Sequence, residues 1–122
     1  MTQKEFEKYC ELQDKFERDV ERVTNHLMKI NGDLAYTDHF WLEDGCVCTE
    51  GWERWSYGGE EHHRGQFDAQ MLTWSDEKLK KYVDDELEKR RMFALEKAEL
   101  SAKQKEEEER REYERLKEKY DK

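Results

Sequence analysis

Residues 36–57, with the sequence YTDHFWLEDGCVCTEGWERWSY, decide the fold. Apolar and polar side chains alternate on both sides of Asp44-Gly45, and alternation with a period of two is typical of β-strands. A tight type I′ turn needs a positive φ at both central positions, which an Asp-Gly pair tolerates. The stretch therefore predicts a β-hairpin that turns at Asp44-Gly45.

A third strand follows the hairpin. Gly58-Gly59 ends the second strand, and residues 60–65 read as a polar loop or a short strand. Residues 66–72 supply the third strand, with Phe67, Ala69 and Met71 on one face. Gly51 indicates a β-bulge inside the second strand. The sequence thus predicts a three-stranded antiparallel meander over residues 35–72.

Helices are predicted on both sides of this sheet. In residues 3–31, apolar residues recur at alternating intervals of three and four, which indicates an amphipathic helix with a heptad seam. Thr2 and Glu5 form a capping-box pattern, and Gly32 fits the left-handed position after a helix. The predicted fold is therefore α+β: an N-terminal amphipathic helix, the sheet, and a long C-terminal helix.

The C-terminal helix is expected to start at residue 75, capped by Thr73 or Ser75. The chain contains no Pro, and no Gly follows Gly65, so nothing ends the helix before the last residues. Its apolar residues thin out after Leu100. We therefore predict one α+β domain over residues 1–100, with its helix at 75–100, and a charged helical extension over 101–122.

Charge is concentrated in the middle of the chain. The net charge is −9, and residues 33–74 hold nine acidic and only two basic residues together with all four Trp. An acidic surface repels phosphate, which disfavours direct nucleic-acid binding, and it attracts a basic protein partner. No stretch is typical of a membrane span or a signal peptide. We expect a cytoplasmic protein with reduced cysteines.

The expected recognition surface is acidic and aromatic. At least two Trp are expected to pack under the first helix, and a Trp or Tyr left outside would anchor a partner, because such residues dominate binding hot spots. The residues assigned to partner binding are Glu50, Glu53, Trp55, Tyr57, Glu60, Glu61 and Asp68.

Metal binding and catalysis have less support in the sequence than protein binding. Cys46, Cys48, His62 and His63 are candidate zinc ligands, but one residue between the Cys and none between the His is tighter than zinc sites use. We predict no obligatory metal and no cofactor.

Adjacent residues of the Glu60–His63 run point to opposite faces in an extended chain, and no nucleophile is placed beside them. We therefore predict no enzymatic activity.

A resemblance supports a binding role. Trp55-Ser56-Tyr57-Gly58-Gly59, followed by a His, then Phe67 and Leu72 opening into Ser75-Asp76, resembles a hairpin-to-helix segment of small phage-encoded proteins. Such proteins include anti-CRISPR and other anti-defence inhibitors, some of which present acidic surface where the target expects nucleic acid. The resemblance implies a viral inhibitor that acts in the host cytoplasm on the basic surface of a host nucleic-acid-binding protein.

Two alternatives remain open from the sequence. One is a structural or assembly protein whose heptad helices form a coiled-coil homo-oligomer, and a homodimer is expected. The other is a small zinc-binding module. The residues assigned to the oligomer seam are Phe16, Val20, Val23, Leu27 and Ile30.

Overall fold

A three-stranded antiparallel sheet follows one helix and precedes another. The computed structural model describes residues 1–120, and its strand order is β1-β2-β3. Two 3₁₀ turns, Gly32–Ala35 and Ala69–Thr73, join the sheet to the helices. The predicted α+β fold is thus confirmed. The elements are α1 (Gln3–Leu27), β1 (His39–Glu43), β2 (Cys46–Arg54), β3 (Glu60–Asp68) and α2 (Asp76–Tyr120).

The hairpin between β1 and β2 turns where the sequence predicted it. Asp44 has a φ of 51° and Gly45 a φ of 75°, and Glu43 pairs directly with Cys46 across the turn. Both central residues therefore lie in the left-handed region that a type I′ turn requires.

The third strand lies earlier than predicted. β3 pairs with β2 from Glu60 to Asp68, so the polar segment 60–65 belongs to the sheet. The Asp68 side chain then accepts a hydrogen bond from the Gln70 amide at 2.9 Å. This local cap turns the chain into a 3₁₀ turn, which is why residues 69–72 do not extend the strand.

Two predictions for glycine were wrong. The β1–β2 and β2–β3 registers run through Gly51 without interruption, so it forms no bulge. Gly51 is instead required because a Cβ there would overlap the carbonyl oxygen of Tyr36. Gly32 does not cap α1: the helix ends at Leu27, and Asn31 accepts a hydrogen bond from the Asp33 amide to start the 3₁₀ turn.

At the N-terminal end of α1, the predicted Thr2 cap is confirmed, with its hydroxyl oxygen 3.1 Å from the Glu5 amide.

The core lies between α1, one face of the sheet and the first turns of α2. Three residues of the predicted oligomer seam, Val20, Val23 and Leu27, are buried in it, while Phe16 and Ile30 pack against it. A single sheet face has to be covered to exclude water, and α1 covers it with this stripe. The buried apolar side chains of the described chain are Val20, Val23, Leu27, Leu34, Val47, Phe67, Leu79 and Val83.

The tryptophans do not form the core, contrary to the prediction that at least two would. Trp41, Trp52 and Trp55 are 40%, 43% and 44% exposed. Trp74 is half-buried beside the core, with its ring 5.5 Å from that of Tyr82. Strand register is the reason for this exposure: Trp41 and Trp52 alternate with the inward-facing residues Phe40 and Gly51, and their side chains therefore point away from α1.

The chain divides into two compact units, residues 1–85 and the helical stretch from residue 86 onward. The boundary between the domain and its extension, predicted after residue 100, stays a prediction. The buried residues of α2, Leu79 and Val83, both belong to the first unit. The second unit is a helix with local pairs such as Arg91–Glu88 at 2.9 Å. The predicted helix continues to Tyr120, and the last two residues of the extension lie outside the described range.

Neither helix could cross a membrane. Within residues 1–120, no helix contains a segment that is both long and apolar enough for a span.

Candidate functional site

The sheet has one face that the core does not use, and we call it the open face. Val47, Thr49 and Phe67 point from the sheet into the core. Side chains alternate along each strand, so the even-numbered residues of β2 and β3 point the other way. None of the core residues described in residues 1–120 comes from this second face. Its side chains are His39, Trp41, Glu43, Cys46, Cys48, Glu50, Trp52, Arg54, Glu60, His62, Arg64, Gln66 and Asp68.

Carboxylates hold the aromatic rings of the open face in place. Trp52 and His62 are cross-strand partners, with ring centroids 4.4 Å apart. His62 Nε2 lies 2.8 Å from Glu50 Oε1, and Trp41 Nε1 donates to Glu43 Oε2 at 3.0 Å. The face therefore presents two oriented indoles with acidic groups beside them.

A second group of polar side chains lies on the inward face, and we call it the His63 cluster: Asp33, Tyr36, Glu53, Glu61 and His63. His63 Nδ1 lies 2.8 Å from Asp33 Oδ1, while its Nε2 lies 3.0 Å from Glu53 Oε2 and 3.9 Å from Glu61 Oε2. The Tyr36 ring stacks on the imidazole with centroids 4.4 Å apart. The side chain of His63 is only 13% exposed.

The electrostatics of the cluster follow from these contacts. Hydrogen bonds to Asp33 and then to Glu53 raise the pKa of His63, because they stabilise the imidazolium. The hydrogen bond from His63 lowers the pKa of Glu53. The Glu53 carboxylate in turn raises the pKa of the Tyr36 hydroxyl through a hydrogen bond. The cluster therefore favours a cation held between carboxylates.

The predicted zinc ligands do not come together. Cys46, Cys48 and His62 lie on the open face, whereas His63 points to the inward face. Cys48 lies four residues from Trp52, the cross-strand partner of His62, which corresponds to roughly 13 Å along the strand. Burial raises the pKa of the Cys48 thiol, which makes it a poorer metal ligand. The structure instead places His63 beside Glu53 and Glu61.

The predicted acidic surface is divided among three places. Glu53 and Glu61 are cross-strand partners on the inward face, and Glu50 and Glu60 lie on the open face. Asp68 lies eight positions from Glu60, roughly 26 Å away, and caps the second 3₁₀ turn.

Trp55 and Tyr57 lie in the loop between β2 and β3. The Trp55 amide donates to the Gly59 carbonyl at 2.9 Å, and Gly58 adopts a φ of 86°. A Cβ at Gly59 would overlap the Trp55 ring, so the glycine lets the indole fold over the loop. Tyr57 is 95% exposed at the tip.

Sequence reasoning missed several members of these sites. Asp33 reaches His63 only because the first 3₁₀ turn lies beside β3, and no local sequence pattern predicts that contact. Trp41 and Trp52 could have been assigned to the open face from the hairpin register alone. The bulge predicted at Gly51 obscured that assignment, because a bulge shifts every later side chain to the other face.

Comparison with protein-family models, with curated proteins and with solved structures finds no match to this chain.

Proposed function

We propose that this chain is a non-enzymatic protein-binding module, and that its open face binds a basic protein surface. The observation that carries the proposal is the exposure of Trp41 and Trp52. The core is small, and these two large rings are not among its members: Trp41 is 40% and Trp52 43% exposed on the opposite face of the sheet. Burial of exposed indoles in a partner contributes more binding free energy than burial of most other side chains.

Charge complementarity supports a basic partner. On the open face, Glu43, Glu50, Glu60 and Asp68 outnumber Arg54 and Arg64. Glu43 accepts a hydrogen bond from the Trp41 indole, and Glu50 contacts the His62 ring that packs on Trp52. Arg and Lys side chains of a partner would pair with these carboxylates and stack on the rings. The same charges would accelerate association by electrostatic steering.

The proposal extends to the phage-inhibitor role that the Trp55–Gly59 segment suggested. An acidic surface can occupy Arg and Lys side chains that otherwise hold nucleic-acid phosphates. The partner would then be a bacterial nucleic-acid-handling protein, and binding would exclude its nucleic acid.

The first test removes the aromatic anchors. The full chain and a Trp41→Ala/Trp52→Ala variant are immobilised and exposed to nuclease-treated bacterial lysate, and captured proteins are quantified by mass spectrometry. The control is Tyr113→Ala/Leu116→Ala, which removes exposed apolar side chains from α2 instead. We expect basic nucleic-acid-binding proteins to be depleted at least tenfold on the first variant only. Equal capture on both folded variants would contradict the proposal.

A charge test then addresses the partner's chemistry. Glu43→Lys/Glu60→Lys on the open face should slow association with the recovered partner and flatten its dependence on salt. Glu108→Lys/Glu112→Lys changes the net charge equally on α2 and should leave both properties close to those of the original chain. Identical association rates for the two variants would show that the open face does not steer binding.

Self-association as an assembly protein is a second candidate function. It is favoured by one observation: Phe6, Tyr9 and Leu12 at the start of α1 are all more than half exposed. An apolar stripe of this kind on a helix is typical of helix pairing.

A further inference from the structure

We propose that Glu53, Glu61 and His63 form a binding site for a divalent transition-metal ion such as Zn²⁺ or Mn²⁺. One nitrogen and two carboxylates are a ligand set that both ions accept, and water would complete the coordination. The site is distinct from the open face, so it does not depend on the proposed protein-binding function.

The donor atoms already have a suitable spacing. The three residues place one ligand atom each within 4.8 Å of one another. His63 Nε2 lies 3.0 Å from Glu53 Oε2 and 3.9 Å from Glu61 Oε2. Two donors bound to one tetrahedral zinc ion lie about 3.3–3.6 Å apart, given metal–ligand distances of about 2.0–2.2 Å. Small side-chain rotations would therefore complete the set without backbone movement.

Strand register makes the arrangement rigid. Glu53 and Glu61 are direct cross-strand partners, and His63 is the next residue of β3 on the same face. All three ligands thus come from one hairpin of paired strands rather than from loops. A rigid framework reduces the ordering cost of ligand binding.

The Nδ1 atom of His63 makes the kind of carboxylate contact that metal-bound histidines commonly make. His63 Nδ1 lies 2.8 Å from Asp33 Oδ1, which leaves Nε2 free to coordinate when Nδ1 carries the proton. A metal-bound His commonly donates its other N–H to a carboxylate, which fixes the ring and strengthens the ligand. The Tyr36 ring, stacked on the imidazole, further restricts its orientation. An ion would replace the proton that Nε2 shares with Glu53.

The test is a titration of the reduced full-length chain with zinc chloride by isothermal calorimetry. Glu61→Gln removes a ligand that is 55% exposed, so the fold should be unaffected. Glu60→Gln is the matched control, because its side chain is also 55% exposed but belongs to the open face. His62→Gln is the corresponding control for His63→Gln. Binding of MnCl₂ is followed separately through paramagnetic broadening of backbone amide signals.

We expect one zinc ion per chain, an affinity at least tenfold lower in Glu61→Gln and His63→Gln, and no change in either control. Mn²⁺ should broaden the signals around residues 53, 61 and 63 first. Unchanged affinity in a folded Glu61→Gln variant would overturn the proposal, as would binding lost on Cys48→Ser, which would indicate thiolate ligation. Absence of saturable binding of either ion would also overturn it.

Discussion

At the scale of single residues, Arg22 connects α1 to the segment that leads into α2. Its guanidinium donates to the carbonyl oxygens of Trp74 at 2.8 Å and Leu72 at 3.2 Å, and to Asp76 Oδ1 at 3.1 Å. His26 Nε2 lies 3.2 Å from the same carboxylate oxygen. Asp76 is the first residue of α2, so one carboxylate ties the two helices together where α2 begins.

This arrangement predicts an acid-sensitive contribution to stability. The hydrogen bond from Arg22, followed by that from His26, lowers the pKa of Asp76. A carboxyl whose pKa is lower in the folded state stabilises the fold above its unfolded pKa, and that contribution is lost as pH falls through the folded value. Asp76→Asn should therefore lower the urea midpoint at pH 7, and the difference from the original chain should shrink as the pH falls below about 3.9, the ordinary pKa of Asp.

Urea unfolding at a series of pH values from neutral to well below the ordinary pKa of Asp measures this difference. Glu77→Gln is the control, since Glu77 also lies in the first turn of α2 and interacts with the same helix dipole. If Glu77→Gln lost as much stability as Asp76→Asn, the effect would come from the helix dipole and not from Arg22.

Residues also show why the candidate site could be predicted only in part. The Asp44-Gly45 turn depends on two adjacent residues, so the sequence predicted it correctly. The His63 cluster depends on Asp33, thirty positions away, and on the stacking of Tyr36. Glu53 and Glu61 were assigned to recognition, and His63 was only a weak candidate for zinc. Only the β2–β3 register puts the three side chains together.

At the scale of elements, boundaries that depend on local sequence were predicted, whereas boundaries that depend on pairing between distant segments were not. The start of α1 and the length of α2 follow from local capping and from the absence of Pro and Gly, and both were predicted. The start of β3 at Glu60 was left open between a loop and a short strand, because the polar residues 60–65 become strand only through pairing with β2. Strand formation there is a property of the pair rather than of the segment.

Helix α2 supports a prediction about which part of it the fold needs. Its buried residues, Leu79 and Val83, lie in its first two to three turns. Truncation after Leu100 should therefore leave the melting temperature and the tryptophan fluorescence close to those of the full chain, since all Trp precede α2. Leu79→Ala in the full chain should instead cost about 2–5 kcal/mol, because it leaves a cavity in the core.

Thermal unfolding followed by circular dichroism and by fluorescence checks both variants. A melting temperature many degrees lower after truncation would show that residues 101–122 stabilise the first unit or an oligomer.

At the scale of the whole molecule, self-association depends on which apolar residues the core leaves exposed. The seam of α1 was expected to pair with a second copy, but Val20, Val23 and Leu27 are buried by the chain's own sheet. The apolar residues of α1 that remain in water are Phe6, Tyr9 and Leu12. The exposed apolar residues of α1 therefore lie in the N-terminal half of the helix.

We predict a homodimer at micromolar concentration that depends on this exposed half. Light scattering of the full chain should give twice the mass of one chain, and Phe6→Ser/Leu12→Ser should give the monomer mass with an unchanged melting temperature. Val23→Asp should instead lower the melting temperature itself, because it buries a charge at a fully buried position. A monomer mass for the original chain would exclude the dimer. A dimer that survives Phe6→Ser/Leu12→Ser would move the interface to the exposed apolar residues of α2, where Tyr113, Leu116 and Tyr120 follow heptad spacing.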